Sequence, residues 1–188
     1  GGYTAILDMP NNKVPIITAE RLEEKIIIAK EKIVCDVGLY FGSTGGNLDE
    51  FEKVKDRVVG LKLYLNETTG NFLIDEKKLE KIFQAWKITG KPILVHAEDE
   101  AVEEVINLVE QTGQQVHFCH ISTAADLNHI IVAKEQGLPI SCGATPHHLF
   151  LSESDLPKLG AFGQMKPPLR SKIDQDYLWK NIQYIDCI

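Results

Sequence analysis

The feature that most limits what this chain can fold into is an alternation. Six short apolar runs are each separated from the next by a stretch with helical character. The runs at residues 3–9 (YTAILDM), 35–41 (CDVGLYF), 58–65 (VVGLKLYL), 92–96 (PILVH), 115–121 (QVHFCHI) and 139–144 (PISCGA) predict strands. Helices are predicted over 18–32, from about Asn47, and over 75–89, 99–112 and 123–136. Gly90, Gly113 and Gly137 stand just past the last three, where a helix ends most cheaply in a left-handed residue. Thr18 is the expected N-cap of the first helix, but Arg21, not Glu or Gln, stands three residues on, so the capping box is incomplete. Strands joined through helices must run parallel, because parallel neighbours need a crossover. The runs are apolar throughout, as expected when both faces of the sheet are covered.

Two architectures satisfy this pattern, a doubly wound sheet and a (βα)8 barrel. No Gly-rich phosphate loop comes after the first strand, which argues against a dinucleotide-binding fold. Asn11, Lys62, His96, His120 and His147 gather at the C-terminal ends of strands, the rim where a barrel keeps its active site. The reading is therefore α/β, a (βα)8 TIM-type barrel. Six units are too few for eight, and 188 residues fall short of the roughly 250 of such a barrel. The expectation is an incomplete barrel, about strands two to seven, forming a single partial domain over residues 1–188.

Charge and cysteine usage narrow the partners. The net charge of −7 gives no reason to expect nucleic acid or an anionic membrane surface. The four cysteines (Cys35, Cys119, Cys142, Cys187) are scattered without a CxxC pair, which suggests a reduced, cytoplasmic setting. No apolar stretch approaches the roughly 20 residues of a membrane span.

His96 and His120 each end a predicted strand, and the strands are consecutive. Adjacent strands lie about 4.8 Å apart, so two rim imidazoles can converge on one metal ion. The ordinary alternative is a pair of partly buried histidines held by backbone hydrogen bonds. Lys62 interrupts an apolar strand. Alternation puts Lys62, Tyr64 and Asn66 on one face and Leu61, Leu63 and Leu65 on the other. Such a lysine can snorkel to solvent, form a Schiff base, or react with carbon dioxide to give an anionic carbamate ligand. Asn11 (in DMPNN) offers an amide to a substrate carboxylate, or simply makes a turn. Lys166 and Arg170 (in MKPPLR) put two cations on a Pro-rich loop suited to an anionic substrate, or to solvent. His117 falls on the opposite face of its strand and reads as structural. His147 and His148 read as a site contact or as loop residues.

Taken together, GGYTAILDMPNN, GLKLYLNET, PILVHAE, VHFCHIS, ATPHHLFLS, MKPPLR and YIDC resemble the dihydroorotases over essentially the whole chain. The resemblance is strongest to the form carried as a domain of a large multifunctional pyrimidine-synthesis protein. It implies a metal-dependent hydrolase barrel that interconverts N-carbamoyl-aspartate and dihydroorotate. On that resemblance Lys62 matches a carboxylated lysine bridging two Zn²⁺ ions, and His96 and His120 match the histidines on the second zinc. Asn11 matches a substrate-carboxylate contact, Lys166 falls where relatives carry a polar or basic substrate contact, and Thr68 lies in what matches the active-site lid. A homodimer, or association with aspartate carbamoyltransferase, would also fit. Three departures stand out. The His-x-His pair of strand one is absent, because the chain opens at what looks like strand two. The chain ends before the expected strand-eight Asp, a metal ligand and general base. Gly143 occupies a position where many relatives carry Glu. These residues hold about half the ligand set, so this stretch by itself is expected to bind metal weakly and to turn over negligibly.

Overall fold

The computed structural model describes residues 2–66, 73–74 and 76–188. The chain divides into two compact units, Gly1–Leu94 and Val95–Ile188.

In the first unit, β1 (Ala5–Asp8) runs parallel to β2 (Asp36–Gly42) through the crossover helix α1 (Ala19–Lys32). Thr18 caps α1 by accepting from the Arg21 amide, the half of a capping box that the sequence supports. The next helical stretch starts after Asn47, as expected, but is short. The Asn47 side-chain amide makes no cap bond and instead donates to the carbonyls of Ile17 and Gly42, tying down the loop after β2. The chain continues in a 3₁₀ turn (Leu48–Glu50) and one turn of α2 (Phe51–Val54). β3 (Gly60–Tyr64) pairs parallel with β2, placing Lys62 opposite Gly42. The helix expected over 75–89 is α3 (Leu79–Trp86) with 3₁₀ turns at either end, Glu76–Lys78 and Lys87–Thr89, closed by Gly90 at φ 65°. The core of this unit is aromatic. Phe51 meets Phe41 and Trp86 edge-on at 6.3 and 5.0 Å, and all three are buried.

β4 (Ile93–His96) begins in the first unit and ends in the second. There it is succeeded by α4 (Glu100–Thr112), β5 (Val116–Phe118), α5 (Ala124–Glu135) and β6 (Ile140–Cys142). β5 and β6 are parallel, with Val116 opposite Ile140. α6 (Pro146–Phe150), α7 (Leu156–Leu159) and α8 (Lys172–Lys180) complete the unit. A parallel bridge between Gly143 and Cys187, with the Asp186 amide donating to the Cys142 carbonyl, adds a further strand pairing beside β6. β5 is shorter than the run at 115–121 suggests. The chain turns to φ 41° at His120 and leaves the ladder, although the Cys119 amide still bonds to the Val95 carbonyl.

The strand order is sequential, β1-β2-β3-β4-β5-β6. A doubly wound sheet reverses direction at a switch point. This sheet does not reverse, so its topology is that of a partial (βα)8 barrel. The first unit also holds a groove of about 470 Å³ lined by Ile26, Ala29, Ile33, Val37 and Val59. It lies beside α1 and the starts of β2 and β3, the strand ends opposite to those that carry chemistry in such barrels.

Candidate metal centre

The second unit brings two of the sequence-predicted ligands together. β4 ends on His96, whose side chain is 1% exposed. His120 comes after β5 in the left-handed region, at φ 41°. A non-glycine residue there carries strain that the surrounding structure must hold. The result is that Nδ1 of His96 lies 3.1 Å from Nε2 of His120, with ring centroids 4.7 Å apart and planes at 70°. If either nitrogen carries a proton, this is a hydrogen bond. If both present lone pairs, they point at one cation. Two nitrogens each 2.0–2.1 Å from a tetrahedral zinc ion sit about 3.3 Å apart. The pair therefore fits one metal ion with little movement.

Behind the histidines stands a charged network that the motif reading passed over. Glu98 is two residues beyond His96, with Oε1 3.2 Å from His96 Nε2. Its other oxygen takes Arg170 Nη2 at 2.5 Å, and Arg170 Nε donates to Ser122 Oγ at 3.1 Å. His96 first, then Arg170, holds the Glu98 carboxyl below the usual carboxylate range against the opposing effect of burial. The signal in the sequence was the acid in HAE, a carboxylate just past a strand-end histidine. Its partner Arg170 is 72 residues away, beyond the reach of any local pattern. Asp126 supports the same corner. It is buried, its carboxyl is pushed up by that burial, and it accepts from the amide of Asp99, itself at φ 56°.

His148 lies in α6, not in a loop, and bridges two segments. It is 3% exposed, with Nδ1 2.7 Å from the Thr145 hydroxyl and Nε2 3.1 Å from the Pro167 carbonyl. It thus ties α6 to the MKPPLR segment. A carbonyl only accepts, so Nε2 carries the proton, and Nδ1 then accepts from Thr145. Burial pushes its pKa down to about 4, and the neighbouring His147 adds to this. His117 is half-buried, with Nδ1 2.9 Å from Ser141 Oγ. A Cβ at Gly143 would come within 2.9 Å of Cys187 Sγ, which would have to shift, and would touch His117 Nε2 at 3.4 Å.

In the first unit Lys62 is 2% exposed in a strand buried along its whole length. Its Nζ lies 4.6 Å from the centroid of the Tyr64 ring, as alternation along β3 requires. It does not snorkel to solvent. Asn11 is half-buried, three residues beyond β1. Lys166 is exposed, and Arg170 is half-buried in its bonds to Glu98 and Ser122. Thr68 lies outside the described residues. Among the described residues no group of three or more His, Cys, Asp or Glu side chains is placed to hold a metal ion. His96 and His120 are the two predicted ligands that the structure brings together.

No family profile matches the chain. Individual relatives do. The chain is 35% identical over its whole length to multifunctional protein CAD of Squalus acanthias, covering 8% of that protein. It is 30% identical to the dihydroorotase of Methanosarcina mazei over 90% of this chain and 45% of that one. It superposes on the L-hydantoinase (dihydropyrimidinase) of Arthrobacter aurescens with a TM-score of 0.93 at 25% identity, covering 99% of this chain and 49% of that one. It also matches an inactive dihydroorotase-like domain of a Chaetomium thermophilum CAD-like multifunctional protein, with a TM-score of 0.82 at 25% identity over 98% of this chain and 52% of that one. Fold and relatives together define a segment of a cyclic amidohydrolase barrel. Within that class the chain belongs to the dihydroorotase-like amidohydrolases. It spans about half the length of the dihydroorotase and hydantoinase it matches, and much less of the multifunctional protein.

Proposed function

We propose that this chain is the central part of a zinc-dependent dihydroorotase, which reversibly cyclises N-carbamoyl-L-aspartate to dihydroorotate in pyrimidine synthesis. The observation that carries the reading is the 3.1 Å approach of His96 Nδ1 to His120 Nε2, a spacing suited to two ligands of one metal ion. Lys62 is the second element. A buried amine is costly as a cation, and conversion to a carbamate would turn it into an anionic ligand able to bridge two zinc ions. Bound zinc would lower the pKa of a water and polarise the ring carbonyl. Asn11, Lys166 and Arg170 are the candidate contacts for the acidic substrate, Thr68 the lid residue, and residues 1–188 one partial barrel domain. The setting is cytoplasmic, the partners are a small-molecule substrate and a homodimer or aspartate carbamoyltransferase, and the remaining ligands and the general base lie elsewhere in the whole enzyme.

The test is ultraviolet-monitored hydrolysis of dihydroorotate by the intact protein, with zinc and bicarbonate present. Turnover that stops on chelation supports the reading. Lys62→Ala should lose at least about a thousandfold in kcat, with partial recovery in short-chain carboxylates; full activity in that variant would sink the carbamate assignment. Two bound zinc ions without dihydroorotate turnover would point to another cyclic amide, such as allantoin or a dihydropyrimidine. A second reading is a non-catalytic dihydroorotase-like scaffold. The likeness to an inactive domain and the glycine at position 143 favour it, and absence of zinc binding by the intact protein would establish it over the first.

A further inference from the structure

An imidazole can ligate a metal only through a nitrogen that carries a lone pair, so its proton must sit on the other nitrogen. At His96 the nitrogen facing His120 is Nδ1. The proton therefore belongs on Nε2, and something must make that tautomer the favoured one. The side chain opposite Nε2 is Glu98, with Oε1 at 3.2 Å. An ionised carboxylate has only acceptors to offer and so selects for a proton on Nε2. The two atoms stand within contact distance, and a metal-ligating histidine commonly donates its other ring N–H to a carboxylate.

Glu98 is itself held. Arg170 bonds to its far oxygen and to Ser122 Oγ through two different nitrogens of a planar guanidinium. That two-point grip fixes where the carboxylate can stand. The segment carrying Arg170 is in turn tied to α6 by His148, whose Nε2 donates to the Pro167 carbonyl.

We propose that Glu98 and Arg170 are positioning residues for the metal centre: Arg170 orients Glu98, and Glu98 holds the His96 proton on Nε2, so that the Nδ1 lone pair faces the position shared with His120. This deepens the reading given under Proposed function and rests on its metal centre. It assigns Arg170 a role through Glu98 that needs no contact with substrate.

The near-isosteric variant Glu98→Gln discriminates. Arg170 can only donate, so it claims the amide oxygen and turns the NH2 group toward His96 Nε2. That NH2 favours a lone pair on Nε2 and a proton on Nδ1, the tautomer that cannot bind the metal. Two readouts apply to the intact protein. In metal-stripped, 15N-histidine-labelled material, the ring-nitrogen shifts of His96 report the tautomer directly. Zinc affinity is then measured by competition with a chromophoric chelator. The expected result is proton on Nε2 in the parent, proton on Nδ1 in Glu98→Gln, and zinc binding weaker by about 10- to 100-fold. Arg170→Met should weaken zinc in the same direction, with partial recovery in Arg170→Lys. An unchanged His96 tautomer in Glu98→Gln, or parental zinc affinity in both Glu98→Gln and Arg170→Met, overturns the proposal. If Glu98→Gln does not fold, the Arg170 pair decides by the same two readouts. If the parent binds no zinc, the metal centre under Proposed function fails, while the tautomer in metal-free protein still decides what Glu98 does.

Discussion

The first and fourth strand–helix pairs obey the same sequence grammar and end in different surroundings. β4 is buried at every residue, and α4 turns Val102, Val105, Leu108 and Val109 inward. β1 is exposed at three of its four residues, and α1 buries only Leu22. Yet α1 carries the run Ile26-Ile27-Ile28, of which Ile27 and Ile28 are about half exposed. Among the described residues β4 has a strand on each side and β1 on one side only. An amphipathic pattern announces a face; a neighbour on each side is what buries it.

The largest expected effect is on the buried side of that comparison. Leu108→Ala in α4 should destabilise by about 2–5 kcal/mol, through lost burial and the cavity left behind; urea unfolding of the intact protein measures it. A cost under about 1 kcal/mol would mean that α4 is no better packed than α1.

Next comes the polar interior of the second unit. His148 holds a folded pKa of about 4 against an ordinary value of 6.5. The unfolded chain takes up a proton below about pH 6.5, and the folded chain does not until about pH 4. Stability from the neutral ring is therefore complete above about pH 6.5 and is lost as pH falls toward 4, by on the order of 3 kcal/mol at most. Thermal melts from about pH 7.5 to about pH 4.5 should show this slope, and His148→Gln should flatten it. A slope unchanged in that variant would assign the acid sensitivity elsewhere.

A smaller effect is expected at Gly143. Gly143→Ala must displace the Cys187 Sγ and should cost about 1–3 kcal/mol. The double variant Gly143→Ala with Cys187→Ala should recover part of it. The smallest effect belongs to the exposed side. Ile28→Ser should change stability by no more than about 0.5 kcal/mol. A cost above about 2 kcal/mol in the intact protein would show that α1 is covered there, and the comparison would then reduce to what lies beside each helix.

The alternation of apolar runs and helices was legible because it is local, and so were the left-handed ends at Gly90 and Gly113. The convergence of His96 and His120 was legible for the same reason, since strand ends on neighbouring strands come close whatever lies between them. The backbone turn at His120 was not, because its strain is repaid by tertiary contacts and leaves no mark in composition. Nor was the Glu98–Arg170 pair, whose members meet only through the fold. At Lys62 the alternation gave the face correctly, but only burial of the whole strand removed snorkelling as an explanation. The strut at His148 needed the cradle of Thr145 and Pro167, which no motif around PHH announces.

The bare backbone at Gly143 has a consequence for how such sequences can change over time. A methyl group there would press on the Sγ of Cys187, far along the chain. Change at one position is then felt at the other. A lineage gains bulk at 143 most easily when the side chain at 187 turns away or becomes smaller. The two positions should therefore be inherited as an exchange of volume across one strand pairing, so that a large residue at one is found with a small residue at the other.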